Sequence, residues 1–159
     1  MKVLAVLMVA ALVLFAGSTR LTGSAAAITV PGTTSGTSAS VITANDLKPA
    51  ICAGSNLTAV VSGTGVFNGT AANELIVGSA VADTIGGGGG DDCILGGDGD
   101  DTINGDAGAD VMDGGGGNDG ITGGTEVDTL YGGAGAADVC TGGGDGDFFP
   151  GGDCETQNP

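Results

Sequence analysis

The sequence predicts an all-β fold in which short strands and glycine-rich turns alternate along about half of the chain. Three observations carry this prediction. A nine-residue pattern recurs about nine times from Gly69 onwards, an acidic residue precedes an apolar one by two positions in each unit, and glycine supplies 35 of the 159 residues. Glycine makes up only ~7 % of an average protein, and it accepts the positive φ angles that tight turns need. The pattern therefore favours a solenoid built from regularly spaced turns.

The composition excludes several classes of function. The chain has 19 acidic and 3 basic residues, a net charge of -16, so it lacks a basic surface for nucleic acid. It has no histidine, which excludes Ser-His-Asp and Cys-His catalysis and histidine-ligated metals. Aromatic residues are 3 % of the chain, too few for an ordinary core of bulky side chains.

Residues 1–27 have the order of a secretory signal peptide. Lys2 supplies the positive start, residues 3–16 are apolar, and small residues follow. The apolar run is shorter than the ~20 residues that a membrane-spanning helix needs, although a retained membrane anchor is the alternative. Cleavage is expected after Ala27, with Ser18 as the competing site. The mature protein is therefore expected to be secreted, extracellular and free of the membrane.

Three further segments follow. Residues 28–50 are rich in Thr, Ser, Gly and Ala without a sustained period, which predicts a mostly disordered linker. Residues 51–68 are expected to cap the solenoid, as a single strand or as a degenerate first coil, because solenoids need covered ends. Residues 69–154 form the repeat domain. Phe148, Phe149 and Pro150 are expected to cap its far end, with an exposed aromatic binding patch as the alternative.

The repeat has the template G-G-x-G-x-D-x-U-x, in which U is a large apolar residue. Acid and apolar residue stay in register through nine units, one of which (132–141) has ten residues. A disordered Gly/Asp-rich tract is the alternative, but it has no need of this register. The sixth place holds Glu74, Asp83, Asp92, Asp101, Asp110, Asp119, Asp128, Asp138 and Asp147. The eighth place holds Ile76, Ile85, Ile94, Ile103, Met112, Ile121, Leu130, Cys140 and Phe149.

Elementary strand geometry gives this template a structure. The last three places form a short strand with U inward and its neighbours outward, and the first six places turn the chain. If two repeats make one coil, each repeat stacks on the second one along at ~4.8 Å. The sixth-place acids then form two columns, in which neighbouring carboxylates repel by just under ~1 kcal/mol even in water. Ca²⁺ resolves this better than Mg²⁺, because it accepts 6–8 carboxylate and carbonyl oxygens in flexible geometry.

The units GGGGDDCIL (87–95), GGDGDDTIN (96–104) and GGGGNDGIT (114–122) resemble the RTX nonapeptide repeat family. The resemblance covers about residues 69–153. It implies a parallel β-roll, a right-handed β-solenoid, with Ca²⁺ in its turns. Departures from the pattern, which weaken the expectation of metal binding there, are at residues 69–72, 79–81 and 125–126 and at the insertion near Ala136 and Ala137.

The metal ligands are expected among the sixth-place acids and the glycines of the best-matching units, in roughly four to six Ca²⁺ sites. The best sites are expected between stacked acids, in the pairs Asp92/Asp110, Asp101/Asp119, Asp83/Asp101 and Asp110/Asp128. The candidate ligand acids are Asp83, Asp92, Asp101, Asp110, Asp119, Asp128, Asp138 and Asp147. The candidate glycines are Gly87, Gly88, Gly90, Gly96, Gly97, Gly99, Gly114, Gly115 and Gly117. Asp91, Asp98, Asp100 and Asp106 are either solvated charges or additional ligands.

The cysteines favour two disulfides, because an even number in an exported chain is typical of oxidised pairs. Three pairings are possible. Cys52–Cys93 and Cys140–Cys154 are expected, since the first ties the cap to the third repeat and the second closes the last coil. A zinc ion held by four thiolates is the alternative, but the chain has no C-x-x-C motif.

The most direct functional prediction is a secreted, monomeric Ca²⁺-binding protein without catalytic activity, with a structural or binding role at the cell exterior and an unknown partner. Low hydrophobicity and high charge predict a disordered chain without Ca²⁺. An adhesion or ice-binding solenoid would need a flat Thr or Asn array, whereas the outward Thr84, Thr102, Thr122 and Thr129 are expected to be ordinary polar surface. A carboxylate-based hydrolase would need one acid with a raised pKa, and none stands out from the repeat.

Overall fold

A computed structural model describes residues 28–29, 41–151, 153–154 and 156–158, so the predicted signal peptide lies outside the described residues. Over the described part the protein is a parallel β-solenoid, as predicted. Its strands are β1 (Ile28–Thr29), β2 (Val41–Ile42), β3 (Ala59–Ser62), β4 (Val66–Asn68), β5 (Glu74–Val77), β6 (Thr84–Gly89), β7 (Cys93–Asp98), β8 (Thr102–Ala107), β9 (Val111–Gly116), β10 (Gly120–Thr125), β11 (Thr129–Ala134), β12 (Val139–Thr141) and β13 (Thr156–Asn158). A short helix, α1 (Ala44–Leu47), precedes a 3₁₀ turn at Ala50–Cys52. Within these described ranges, no helix has the length and apolarity to cross a membrane.

Consecutive strands of the solenoid alternate between two parallel sheets. One sheet has the order β13-β12-β10-β8-β6-β4 and the other β11-β9-β7-β5-β3. Strand partners are 18 residues apart, as in the pairs Ile85–Ile103 and Ile94–Met112. At the ten-residue unit the offset becomes 19, and Ile121 pairs with Cys140. Two repeats therefore make one coil, as predicted, and the solenoid has about five turns.

The inner core is one column of eighth-place side chains between the two sheets. From Ile76 to Leu130 each of these side chains is at most 1 % exposed. Val61 and Phe67 extend the column at the N-terminal end, and Phe149 packs against it at the other. Each strand from β3 to β12 contributes one side chain to it, so the core is thin.

Most strands are longer than the three residues that the template predicts. β8, for example, runs through six residues, from the seventh place of one repeat to the third place of the next. A positive φ at the second place makes this possible (+69° at Asp106 in β8, +100° at Gly88, +115° at Gly97), because it bends the chain without ending the ladder. Beyond the bend the ladder resumes, with the Gly89 N–H donating to the Thr70 carbonyl at 2.9 Å. Only the fourth to sixth places form the turn.

Both ends of the repeat domain are covered. β3 and β4 lack the template but pair in register with β5 and β6, so residues 51–68 include a degenerate first coil. At the far end β13 pairs in parallel with β12, which carries the solenoid to residue 158. Phe149 packs on the core while Phe148 stays 60 % exposed.

An outer apolar layer covers part of the five-stranded sheet. The segment from Ala44 to Leu57 packs against the outward side chains Leu75 and Cys93, with Val111 at the edge of the cluster. Asn45 fixes α1, since its Oδ1 accepts from the Leu57 N–H at 2.9 Å and its Nδ2 donates to the Leu57 carbonyl at 2.7 Å. Residues 43–50 fall within the range predicted to be a linker, yet they hold this layer in place.

The six-stranded sheet has no such cover among the described residues. Thr84, Thr102 and Thr122 are exposed on its outer face, as polar surface.

Candidate metal sites in the turns

The sixth-place aspartates form two ladders, one along each edge of the solenoid. In every step the backbone N–H of one sixth-place residue donates to the Oδ1 of the sixth-place aspartate one coil later. The distance is 2.8 Å from Asp83 to Asp101 and from Asp101 to Asp119, and 2.7 Å from Asp92 to Asp110. The step from Asp110 to Asp128 is 2.8 Å. The four acid pairs expected from the sequence are therefore direct neighbours.

The second oxygen of these carboxylates has no hydrogen-bond donor. The Oδ2 atoms without a partner belong to Asp92, Asp101, Asp110, Asp119, Asp128 and Asp147. All but the last of these side chains are at most 2 % exposed, so water does not replace the missing donor. A buried charged oxygen without a partner is costly unless a cation or a proton neutralises it.

Glycine at the first place brings a second acceptor close to five of the orphaned Oδ2 atoms, all but that of Asp147. An ideal Cβ on Gly105 would lie 2.4 Å from Asp110 Oδ2 and 2.4 Å from the Gly123 carbonyl oxygen. On Gly114 it would lie 2.4 Å from Asp119 Oδ2 and 2.5 Å from the Gly132 carbonyl oxygen. Only a residue without a Cβ fits this space. Carboxylate and carbonyl oxygens that converge without a donor between them suit a hard cation such as Ca²⁺.

The electrostatics of the ladder point the same way. Burial raises the pKa of Asp110 to about 8 and that of Asp92 to about 7, and carboxylates of the same column add to the rise. Burial also raises the pKa of Asp101 and Asp128 to about 6, and it raises the pKa of Asp119. A neighbouring cation has the opposite effect, because it favours the charged carboxylate.

The glycines singled out in the sequence have two different roles. Gly87, Gly96 and Gly114, at the first place, leave room for the converging oxygens. The second-place and fourth-place glycines have positive φ: Gly88, Gly97, Gly115, Gly90, Gly99 and Gly117. Sequence reasoning missed the first-place Gly105, Gly123, Gly132 and Gly142, whose carbonyls or Cα positions line equivalent cradles. Their shared place in the template would have identified them.

Irregular units do not break the ladder. Asp138 follows the insertion, is fully buried and accepts from the Asp119 N–H through Oδ1 at 2.8 Å. Asp147 accepts from the Asp128 N–H at 2.9 Å. The inserted residue is absorbed in the exposed part of the turn around Ala136.

The four further aspartates that the sequence singled out lie on the surface. Asp91 Oδ1 accepts from the Ala109 N–H at 3.1 Å, and Asp100 Oδ1 accepts from the Asn118 N–H at 2.9 Å. Both therefore tie one turn to the next. Asp98 and Asp106 are also exposed.

No group of three or more Asp, Glu, Cys or His side chains converges on one point in the described part of the chain. A cation in these turns would take oxygens from one or two carboxylates and the rest from backbone carbonyls. That donor set fits Ca²⁺, which binds backbone carbonyls readily, and the first-place glycines place such carbonyls beside the orphaned Oδ2 atoms other than that of Asp147.

Both expected disulfides are present. Cys52 pairs with Cys93 and Cys140 with Cys154, with Cα–Cα distances of 5.9 and 5.8 Å. None of the four cysteines is free, so a four-thiolate zinc site is excluded.

Fold and turns together define the class of this protein: a parallel β-solenoid whose turns hold buried carboxylates against backbone carbonyls. The family model of the RTX calcium-binding nonapeptide repeat matches residues 68–103, 87–121 and 121–149, which together span more than half of the chain. The chain belongs to this family of calcium-binding repeats. Comparison with curated proteins and with solved structures gave no match.

Proposed function

We propose that this protein is a secreted Ca²⁺-binding solenoid in which the ions complete the fold, and that it acts as a structural or binding element outside the cell. The buried, donorless Oδ2 atoms of the sixth-place aspartates carry this proposal. Five of them belong to side chains at most 2 % exposed, and each of these faces a first-place glycine cradle. A bound cation stabilises buried carboxylates of this kind, because it favours their charged form.

The structure supports about five sites, within the roughly four to six that the ligand chemistry predicts. Each would combine the Oδ2 of one sixth-place aspartate with the carbonyl of the first-place residue one coil later. The aspartates concerned are Asp92, Asp101, Asp110, Asp119 and Asp128, and the matching carbonyls belong to Gly105, Gly114, Gly123, Gly132 and Gly142. When bound, Ca²⁺ supplies charge neutralisation and cross-links neighbouring coils; the chain supplies the oxygens and the shape.

Secretion remains part of the proposal. The order of residues 1–27 supports it, and both disulfides suit an oxidising compartment. The mass of the exported protein would identify the new N-terminus, expected after Ala27 or Ser18. An uncleaved chain that remains with the membrane fraction would overturn secretion and leave the calcium sites untouched.

A non-enzymatic role is supported by the equivalence of the turns. Among the described residues, five of the six acids with raised pKa values recur at the sixth place of the repeat, so none of these five has an environment of its own. The exception is Asp113 at the ninth place, where burial raises the pKa of a half-buried carboxyl. An ice-binding face is less favoured, because Gly120 interrupts the Thr84–Thr102 column on the six-stranded sheet and Val66 and Val139 flank it. Thermal hysteresis would test that alternative directly.

The proposed function is tested by far-UV circular dichroism of the disulfide-bonded chain during a Ca²⁺ titration, with Mg²⁺ at equal ionic strength as the control. We expect a transition to a β-rich spectrum with Ca²⁺ and a much smaller change with Mg²⁺, which demands octahedral geometry. A chain whose central coils are unaffected by Ca²⁺, and which binds none, would overturn the proposal.

Two adjacent aspartates provide a matched pair of variants. Asp101 is 2 % exposed with a donorless Oδ2, whereas Asp100 is exposed. Asp101→Asn and Asp100→Asn remove the same charge one residue apart. We expect Asp101→Asn to lose one bound Ca²⁺ in native mass spectrometry and Asp100→Asn to retain the wild-type number. Equal stoichiometry in both variants would argue against the assigned ligands.

A further inference from the structure

The carboxylates of the first two repeats differ from the orphaned ones in having protein donors on both sides. Glu74 Oε2 accepts from the Thr70 N–H at 2.6 Å, and its Oε1 accepts from the Thr70 hydroxyl at 3.0 Å. Asp83 Oδ2 accepts from the Ser79 N–H at 2.7 Å and from the Ser79 hydroxyl at 2.9 Å. Both acids are 3 % exposed, as buried as the aspartates that lack donors.

The difference arises at the second place of the repeat. Thr70 and Ser79 stand there in the first two units, and neither has a positive φ. Second-place residues with positive φ are Gly88, Gly97, Asp106, Gly115, Gly124, Gly133 and Gly143. Asp92 and Asp101, in the third and fourth units, have no donor at Oδ2. A hydroxyl residue with negative φ thus donates twice to the carboxylate, where a glycine with positive φ donates nothing.

The remainder of the cradle is the same in both kinds of turn. An ideal Cβ on Gly78 would lie 3.0 Å from Asp83 Oδ2 and 2.0 Å from the Gly96 carbonyl oxygen. On Gly87 the corresponding distances are 3.0 Å to Asp92 Oδ2 and 2.5 Å to the Gly105 carbonyl oxygen. The turn at Asp83 therefore has the same converging oxygens as a cation site. Here the hydroxyl and the backbone N–H of Ser79 donate hydrogen bonds to Asp83 Oδ2 where a cation would otherwise bind.

We propose that Thr70 and Ser79 replace the cation in the first two turns, so that these turns fold without Ca²⁺ and form a preformed end on which the Ca²⁺-dependent coils assemble. The proposal rests on the proposed function, since it presupposes that the later turns bind Ca²⁺. According to this proposal, the second-place residue determines whether a turn binds a cation or satisfies its carboxylate with its own hydrogen-bond donors.

The packing of the same region supplies the burial that such a preformed end needs. The outer apolar layer lies over β5 and β7, and the Cys52–Cys93 disulfide fastens that layer to β7. The N-terminal coils are therefore packed on the inner and the outer face of one sheet. Apolar burial and a covalent cross-link both act without a metal ion.

Ser79→Gly tests the proposal in the full disulfide-bonded chain. It removes the hydroxyl and permits the positive φ of the other second-place glycines, so we expect one additional bound Ca²⁺ in native mass spectrometry. Ala80→Gly adds the same backbone freedom at an exposed neighbour, and should keep the wild-type number. Ser79→Ala removes the hydroxyl but disfavours a positive φ, so its backbone N–H should still donate to Asp83 Oδ2 and the variant should gain no ion.

Hydrogen exchange in chelator gives the second readout. We expect amides of β5 and β6 to be protected in wild-type protein without Ca²⁺, while amides of β8 to β11 are protected only with Ca²⁺. Ser79→Gly should make protection around Asp83 dependent on Ca²⁺.

The outcomes separate this inference from the proposed function. The inference is overturned if all strands lose protection equally in chelator, or if Ser79→Gly binds the same number of Ca²⁺ ions as the wild-type protein. In either case, Ca²⁺-dependent protection of β8 to β11 still upholds the proposed function. A wild-type chain that binds no Ca²⁺ overturns the proposed function itself.

Discussion

The N-terminal coils and the central coils share one backbone template but stabilise it in different ways. Around Glu74 and Asp83 the chain provides its own donors, an outer apolar layer and a disulfide. From Asp92 to Asp128 the ladder continues, but the second carboxylate oxygen has no donor. Backbone geometry and ligand dependence are thus separable properties of a nonapeptide solenoid. Small changes at one place in the repeat change what a coil needs in order to fold.

The contrast also shows why the central coils depend on charge neutralisation. Their inner core is a single column of side chains such as Ile103 and Met112, with little else buried around it. Stacked carboxylates beside so thin a core oppose folding. Neutralising these carboxylates, by a cation or by protons, is therefore expected to change the stability of the central coils the most.

The largest expected effect is therefore a reversal of the pH dependence of the central coils. In chelator, the pKa of Asp110 is raised to about 8 and that of Asp101 to about 6 in the folded state, from an ordinary value of 3.8. Because the folded state favours the protonated form of both carboxyls, their contribution to the stability of the fold is fully present below pH 3.8. This contribution is lost as the pH rises through about 6 for Asp101 and about 8 for Asp110. Metal-free central coils should thus be more protected from hydrogen exchange at pH 5 than at pH 8. With Ca²⁺ the trend should reverse, because protons compete with the ion.

A pair of variants separates this effect from general charge repulsion. Asp110→Asn should flatten the pH profile in chelator, whereas Asp98→Asn removes an equal charge from an exposed position and should leave the profile in place. Equal flattening by both variants would attribute the pH dependence to net charge and not to the buried ladder.

The next largest effect is expected from the two disulfides. The residues of Cys52–Cys93 are 41 apart and those of Cys140–Cys154 are 14 apart. Loop-closure entropy gives about 4 kcal/mol for the longer loop and about 3 kcal/mol for the shorter. We expect the Cys52→Ala/Cys93→Ala double variant to destabilise the N-terminal coils by about that larger amount in urea unfolding.

The location of the loss is the sharper part of this prediction. Without Cys52–Cys93, protection of β5 in chelator should fall most, because the outer layer loses its attachment. The Cys140→Ala/Cys154→Ala variant serves as the control and should affect β12 and β13 instead. Equal losses at both ends in both variants would contradict an independently stabilised N-terminal region.

A smaller effect is expected at a single glycine of the central coils. A Cβ on Gly96 would lie 2.3 Å from the Gly114 carbonyl oxygen and 2.5 Å from Asp101 Oδ2. Gly96→Ala should therefore cost about 1–3 kcal/mol through overpacking, and should also remove one bound Ca²⁺. On Gly120 the nearest atom would be 4.0 Å away, so Gly120→Ala should change stability by less than about 1 kcal/mol. Isothermal titration calorimetry and urea unfolding measure both effects, and a neutral Gly96→Ala would refute the cradle.

Much of this molecule could be predicted because the repeat is local and strict. Acid and apolar residue at fixed places predicted the inward column from Ile76 to Leu130, and the nine-residue period predicted pairing 18 residues apart. The neighbouring sixth-place acids and both disulfides also agree with prediction. The roles of individual oxygens as metal ligands stay predictions.

The outer layer could not be predicted in the same way. Leu75 and Val111 occupy outward strand positions, and their burial depends on residues 44–57, of which 44–50 lie in the predicted linker and 51–57 in the predicted cap. Only the folded chain brings this segment over the sheet, because the segment itself lacks the repeating pattern that places the strands.

The sequence by itself determined the coil, the column of acids and the type of cation they suit, since each follows from spacing and side-chain chemistry. The tertiary structure was needed to show which carboxylate oxygens are satisfied. Asp83 and Asp101 occupy the same place in the template, yet only Asp83 receives donors at Oδ2. The physical reason is the orientation of one peptide: a second-place residue with negative φ turns its N–H toward the carboxylate, and a glycine with positive φ does not.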